Sequence, residues 1–139
     1  MTAFTGTYLS PESVVDLTAR ARRTPMFFEW PKSCYAAITP RGVHVVYILG
    51  FEGGIVKVGQ TLDFLTRLSG NRSSPHRRGK NLVCGWRVGS DSALEDEDTL
   101  KRIAGELGGI RIGRSREWFS GVDVLDLIAA GENAILASH

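Results

Sequence analysis

VVYILGFEGGIVKVGQT, residues 45–61, decides the fold. Two apolar, β-branched runs flank a glycine-rich centre, which is the pattern of a β-hairpin. The spacing predicts strands over Val43–Leu49 and Ile55–Val58, with a turn over Gly50–Gly54. Tyr47 and Lys57 interrupt the two arms. Alternation puts Val43, Val45, Tyr47 and Leu49 on one face of the first arm, and Ile55, Lys57 and Gly59 on one face of the second. A symmetric turn then sets Leu49 against Ile55, Tyr47 against Lys57 and Val45 against Gly59. Opposed side chains have Cβ atoms about 5 Å apart, so a phenol and an ammonium would share one spot on the sheet. Two readings follow: a cross-strand packing pair on a half-exposed face, or two groups within reach of one phosphate or its water.

Working outward, Leu62–Ser69 reads as a short helix with Leu62, Leu65 and Leu68 on its buried face and Arg67 nearly opposite. NRSSPHRRGK (71–80) is a polar, basic loop, and Asn81–Val88 a third strand. Ser92–Leu107 is an amphipathic helix, GGIRIG a loop with room for a strand, and Val122–Ala130 a last helix ended by Gly131. Within ALEDEDTLK, Leu100, Ile103, Ala104 and Leu107 set the buried stripe. Asp96 and Glu97 fall on its side; Glu95 and Asp98 fall away from it. Upstream, Ser10-Pro11-Glu12 is a helix start, and Pro25 ends that helix near Arg23. Residues 24–42 read as irregular apart from a short strand near Tyr35–Ile38, with Phe27, Phe28, Trp30 and Tyr35 as core. The expected fold is α+β: a small three-stranded antiparallel sheet flanked by helices, with an N-terminal helical extension. Residues 1–42 form that extension, a helix and irregular lobe packed on a main domain over 43–139.

A chain of 139 residues, 42% hydrophobic and 23% charged, fits one globular domain with its own core. No apolar run approaches the roughly 20 residues that cross a bilayer, and MTAFTGTYLS lacks the features of a secretory leader. Cys34 and Cys84 lack metal-ligand spacing and read as free buried thiols, so a cytoplasmic location is expected. The net charge of +2 is unevenly spread. Between Phe64 and Ser90 stand six basic residues, Arg67, Arg72, Arg77, Arg78, Lys80 and Arg87, and no acidic one; the rest of the chain nets −4. Such a segment attracts phosphates, or is a solvated loop that binds nothing. His76, in its middle, reads as a base, a phosphate contact or a solvated side chain.

These residues together resemble the GIY-YIG nuclease superfamily. Val45-Val46-Tyr47 stands where that family has its first tripeptide, and Lys57-Val58-Gly59 where it has its second, followed by Thr61 and a helix with Arg67-Leu68. The Lys in place of the second Tyr is similar to a phage-associated branch whose second motif reads Lys-Ile-Gly. That branch also has a Glu on a later helix and a Glu-Trp-Phe near the end, as in Glu117-Trp118-Phe119. Ala93, Glu97 and Lys101 fit its helix spacing, although the branch usually has His where Lys101 stands. Residues 43–130 are covered; 1–42 are not.

The resemblance implies a metal-dependent DNA endonuclease, using Mg²⁺ or Mn²⁺, linked to a phage or a defence system; a domain this small has little surface for reading a long site, so low intrinsic sequence specificity is expected. It implies Tyr47, Lys57, Arg67 and Glu97 as the catalytic set. Tyr47 would help activate water, Arg67 would stabilise charge on the phosphate, and Glu97 would hold the metal, with Glu95 and Asp96 as its competitors. Arg72, His76, Arg77, Arg78 and Lys80 would contact the DNA backbone, which gives affinity without sequence reading. The expected partner is DNA, with a homodimer as one arrangement and no membrane. The alternative is a catalytically weakened GIY-YIG-like domain acting as a nucleic-acid-binding or protein-interaction module.

Overall fold

The computed structural model describes residues 24–32 and 42–138. The helix expected over Ser10–Arg23, the strand near Tyr35–Ile38 and Cys34 lie outside them. The described strands are β1 (Met26–Glu29), β2 (Val45–Phe51), β3 (Ile55–Thr61), β4 (Leu82–Gly89), β5 (Ile110–Arg111) and β6 (Trp118–Ser120). The helices are α1 (Phe64–Arg72), α2 (Ala93–Glu106) and α3 (Val124–Ala137).

The fold is α+β, but the sheet has six strands in the order β1-β4-β2-β3-β6-β5, each antiparallel to its neighbours. The expected three-stranded sheet is its centre. The added strands run only 4, 2 and 3 residues, too short for a period-2 pattern to declare itself. β1 lies within the segment read as an irregular lobe, yet it pairs with β4 as an edge of the same sheet.

The hairpin register differs from expectation by two residues. The chain reverses in a 3-10 turn, Glu52–Gly54, so Phe51 faces Ile55, Leu49 faces Lys57, Tyr47 faces Gly59 and Val45 faces Thr61. Gly53 and Gly54 have φ of 76° and 78°, which lets the turn close in three residues. A shift of two preserves faces, because the side-chain period is two. Tyr47 and Lys57 therefore share a face but stand diagonally, on adjacent rungs.

The two faces are covered by different helices. Val46, Ile48, Val56, Val58, Trp86 and Val88 pack with Leu100, Ile103 and Ala104 of α2 and Leu127, Ile128 and Ile135 of α3. Val45, Tyr47, Leu49, Phe51 and Ile55 pack with Phe28, Trp118 and with Phe64 and Leu68 of α1. Helix α1 starts at Phe64 because Asp63 caps it, its carboxylate accepting from the Thr66 amide and hydroxyl. Its buried residues are Phe64, Leu68 and Asn71, while Leu62 and Leu65 are exposed, contrary to the expected face. Helix α3 runs through Gly131 rather than ending there. A Cβ at Gly131 would stand 2.5 Å from Leu100 Cδ2, so the glycine is a contact point between α2 and α3, not a breaker. No helix among the described residues is long and apolar enough to cross a membrane.

Candidate functional site

On the face under α1, the strands carry polar side chains in two adjacent rows. Met26, Arg87, Tyr47 and Gly59 occupy one row; Phe28, Gly85, Leu49, Lys57 and Trp118 occupy the next. Tyr47, Lys57 and Arg87 are all nearly inaccessible there.

Tyr47 lies flat across β3. A Cβ at position 59 would collide with its phenol oxygen and stand 2.9 Å from Cε2, so Gly59 is what admits the ring. The Phe64 ring packs against it at 5.3 Å. Asn71 Nδ2, one end of the buried stripe of α1, donates to the phenol oxygen at 3.0 Å. Burial pushes the phenol well above its usual pKa; the Asn71 hydrogen bond opposes this without cancelling it.

Lys57 is paired with Glu117, Nζ to Oε2 at 3.0 Å, and stands 5.9 Å from the centroid of the Trp118 ring. Burial lowers its pKa, and the Glu117 carboxylate works against that. Glu117 is set by its backbone. Ser115 Oγ accepts from the Glu117 and Trp118 amides at 3.1 and 3.2 Å, and the Glu117 carbonyl accepts from the Val58 amide at 2.9 Å. Strand β6 pairs with β3 only at Val56 and Lys57, so Glu117 sits where that pairing ends.

Glu97 comes from α2. The period places Asp96 and Glu97 on the buried side of that helix and leaves Glu95 and Asp98 exposed, and the structure has them so. Asp96 accepts from Ser90 Oγ at 2.5 Å, a contact at the start of the helix. Glu97 is held by Lys101 at 3.4 Å, one turn along. Burial raises the Glu97 pKa; Lys101 lowers it and Glu117 raises it further. Glu117, Arg67 and Glu97 each act through their charge on both Tyr47 and Lys57. Four elements and the segment before β6 thus bring Tyr47, Lys57, Arg67, Glu97 and Glu117 into one electrostatic neighbourhood. Arg67 is exposed and flanks the buried stripe of α1 on the side of Phe64 and Asn71, rather than standing opposite it.

The basic loop is partly built into this region. His76 lies in a 3-10 turn, Pro75–Arg77, capped by Ser74, whose hydroxyl oxygen accepts from the His76 amide at 3.2 Å. Its ring stacks on Trp118 at 5.9 Å, so it is attached to the site rather than loose in the loop. Arg77 donates to the Lys80 carbonyl at 2.9 Å, and Arg78 takes a left-handed conformation at φ 54°. Arg72 lies over the Trp30 ring at 4.4 Å, so its guanidinium joins α1 to the segment after β1.

Sequence reasoning missed Asn71 and Arg87. Arg87 carried the same signal as Lys57, a charge at an inward position of an apolar strand, and it faces Tyr47 directly. Asn71 carried no such signal, since it reads as one more polar residue opening a loop. Among the described residues, no three His, Cys, Asp or Glu side chains are grouped as a metal cage. Compared with known proteins, the chain matches no family model, no curated protein and no solved structure.

Proposed function

We propose that the chain is a metal-dependent DNA endonuclease of low intrinsic sequence specificity, a GIY-YIG-type enzyme with lysine in its second motif. The observation that carries this reading is that Tyr47 and Lys57 are buried side by side on one strand face, where the charges of Arg67 and, from the helix on the sheet's other face, of Glu97 act on both. A buried tyrosine, a buried lysine and a buried glutamate are costly to a fold and need a reason to be there.

The donor set suits Mg²⁺ or Mn²⁺ only as an ion that completes its shell elsewhere. Magnesium is commonly held by one or two carboxylates, with water and substrate phosphate as the other ligands. Glu97 would hold it, with water and substrate phosphate as the remaining ligands. When bound, such an ion neutralises charge on the leaving oxygen. Arg67, exposed beside Tyr47 and Lys57, stabilises the charge that builds on the phosphate. Lys57 contacts a non-bridging oxygen. Tyr47 is a poor base, because burial favours its neutral form and Asn71 already donates to its oxygen. It orients water or phosphate through its own hydroxyl proton instead. Arg77, Arg78 and Lys80 add backbone contacts.

Incubation with plasmid and with branched DNA, with and without Mg²⁺, tests this beside Glu97→Gln and Tyr47→Phe. Wild type should nick DNA only with the metal. Glu97→Gln should lose at least about 10²-fold, the scale for removing one preorganised electrostatic contact. Wild type that cuts nothing under any metal ends the enzyme reading.

One observation favours the second reading, a nucleic-acid-binding module. Lys101 occupies Glu97 where the resembling branch has His, and a cation there competes with a metal. In that case the protein retards DNA in a salt-sensitive way and cuts nothing. A protein that neither cuts nor binds DNA leaves the interaction-module reading.

A further inference from the structure

Lys57 and Glu117 form a pair of unequal partners. The lysine side chain is 5% exposed and the glutamate 40%. The ammonium is walled by the Trp118 ring and carries burial costs that lower its pKa. Its compensation comes from Glu117, which is the more exposed partner, its backbone fixed by Ser115 and Val58. The carboxylate itself is held by the Lys57 ammonium at 3.0 Å. Its charge also acts against that of Glu97.

We infer that Glu117 is a resident counter-anion on Lys57 which an incoming phosphate displaces, so that the Lys57–Glu117 pair is a latch admitting only anionic ligands. A neutral group cannot take Glu117's place, because it would leave a buried ammonium uncompensated. A phosphate oxygen can, since it brings a full charge and hydrogen-bond acceptors in a compact group. Displacement moves the Glu117 carboxylate into water and away from Glu97, which leaves the α2 carboxylate with one less negative neighbour. The groups around the latch are Lys57 on β3, Tyr47 on β2, Arg67 on α1, Glu97 on α2, and His76 stacked on Trp118. The assignment rests on the function proposed above only for the owner of the phosphate, a DNA backbone; the latch itself is read with inorganic phosphate.

The test uses the full chain as wild type, Glu117→Gln, Lys57→Met and the Lys57→Met/Glu117→Gln double variant, with Lys57→Gln should Lys57→Met not fold. Exposed Glu95→Gln serves as a control for general charge. DNA binding by fluorescence anisotropy across a salt series should show Glu117→Gln tighter by about 3- to 10-fold, with a salt slope steeper by about one phosphate contact. The gain should vanish in the Lys57→Met background, where no latch remains. Thermal protection by inorganic phosphate should follow the same order: greatest in Glu117→Gln, smaller in wild type, absent in both Lys57 variants. If Glu117→Gln gains as much without Lys57 as with it, or no more than Glu95→Gln, the latch is overturned. If no variant binds DNA but phosphate protection keeps its expected order, the nucleic-acid reading fails and the latch stands. If phosphate protection is the same in every variant, the latch fails whatever the DNA result.

Discussion

The two faces of one sheet are built on different terms. Under α2 and α3, strands β2, β3 and β4 present Val46, Ile48, Val56, Val58, Trp86 and Val88, all buried against aliphatic helix residues. Under α1, the same strands present Tyr47, Lys57 and Arg87 among Leu49 and Phe51. Trp86 satisfies its one polar atom with Glu132 at 2.8 Å; the Lys57 ammonium is offset by an ion pair with Glu117 at 3.0 Å. The first face gains from every methyl it hides. The second spends stability to hold charge in place, as sites of chemistry do.

The sharpest way to break this contrast is to cut both faces alike. Leu100→Ala, on the apolar face, should cost about 3 kcal/mol in a urea titration, within the range for buried leucine. Lys57→Met should leave stability unchanged or slightly higher, because an apolar chain of similar length replaces a buried charge and the freed Glu117 is already part-solvated. Equal losses from the two would erase the distinction.

Gly59→Ala tests whether Tyr47 is seated by that glycine. The methyl meets the phenol ring, with Cε2 at 2.9 Å, and the tyrosine must move. We expect about 1–3 kcal/mol lost by overpacking, together with lost function at the site. Wild-type stability would mean that the ring has slack.

The third test concerns pH. The Tyr47 phenol holds its proton longer when folded, so its contribution is complete below the unfolded value of about 10 and is lost as pH rises toward the folded one. Between them stability should fall by about 1.4 kcal/mol per pH unit for this proton. Denaturation curves at increasing alkaline pH should show that fall in wild type and a shallower one in Tyr47→Phe.

The smallest effect is expected at Glu97. Its folded pKa is raised, so its contribution is present below the unfolded carboxylate value and lost as pH rises through the folded one. Glu97→Gln should therefore be more stable at neutral pH, by less than about 1 kcal/mol, while losing cleavage. A variant more stable and less active marks a residue kept for function rather than for the fold.

Much of this was legible in the sequence, for reasons that can be named. Alternation alone puts Tyr47 and Lys57 on one face, and helical period alone separates Asp96 and Glu97 from Glu95 and Asp98. Register was not legible, because it depends on whether Gly53 and Gly54 close a three-residue turn or a longer one. The face of α1 was misjudged because the Asp63 cap, not the leucine spacing, sets where the helix starts. Strands β1 and β6 exist by pairing with neighbours distant in the chain, which no local pattern records, and β5 exists only by pairing with the short β6. The charges on Lys57 and Glu97 find their partners for the same reason in opposite degrees. Lys101 lies one helical turn from Glu97, whereas Glu117 reaches Lys57 only through the sheet.

The chain's three tryptophans divide these regions among themselves. Trp118 lies between Lys57 and His76, Trp86 lies in the opposite core with Glu132, and Trp30 lies beneath the Arg72 guanidinium. The molecule therefore carries its own optical probes. Chains keeping one indole at a time would emit from the latch, from the apolar layer or from the outer edge of the sheet, and would separate a local opening at the site from melting of the whole.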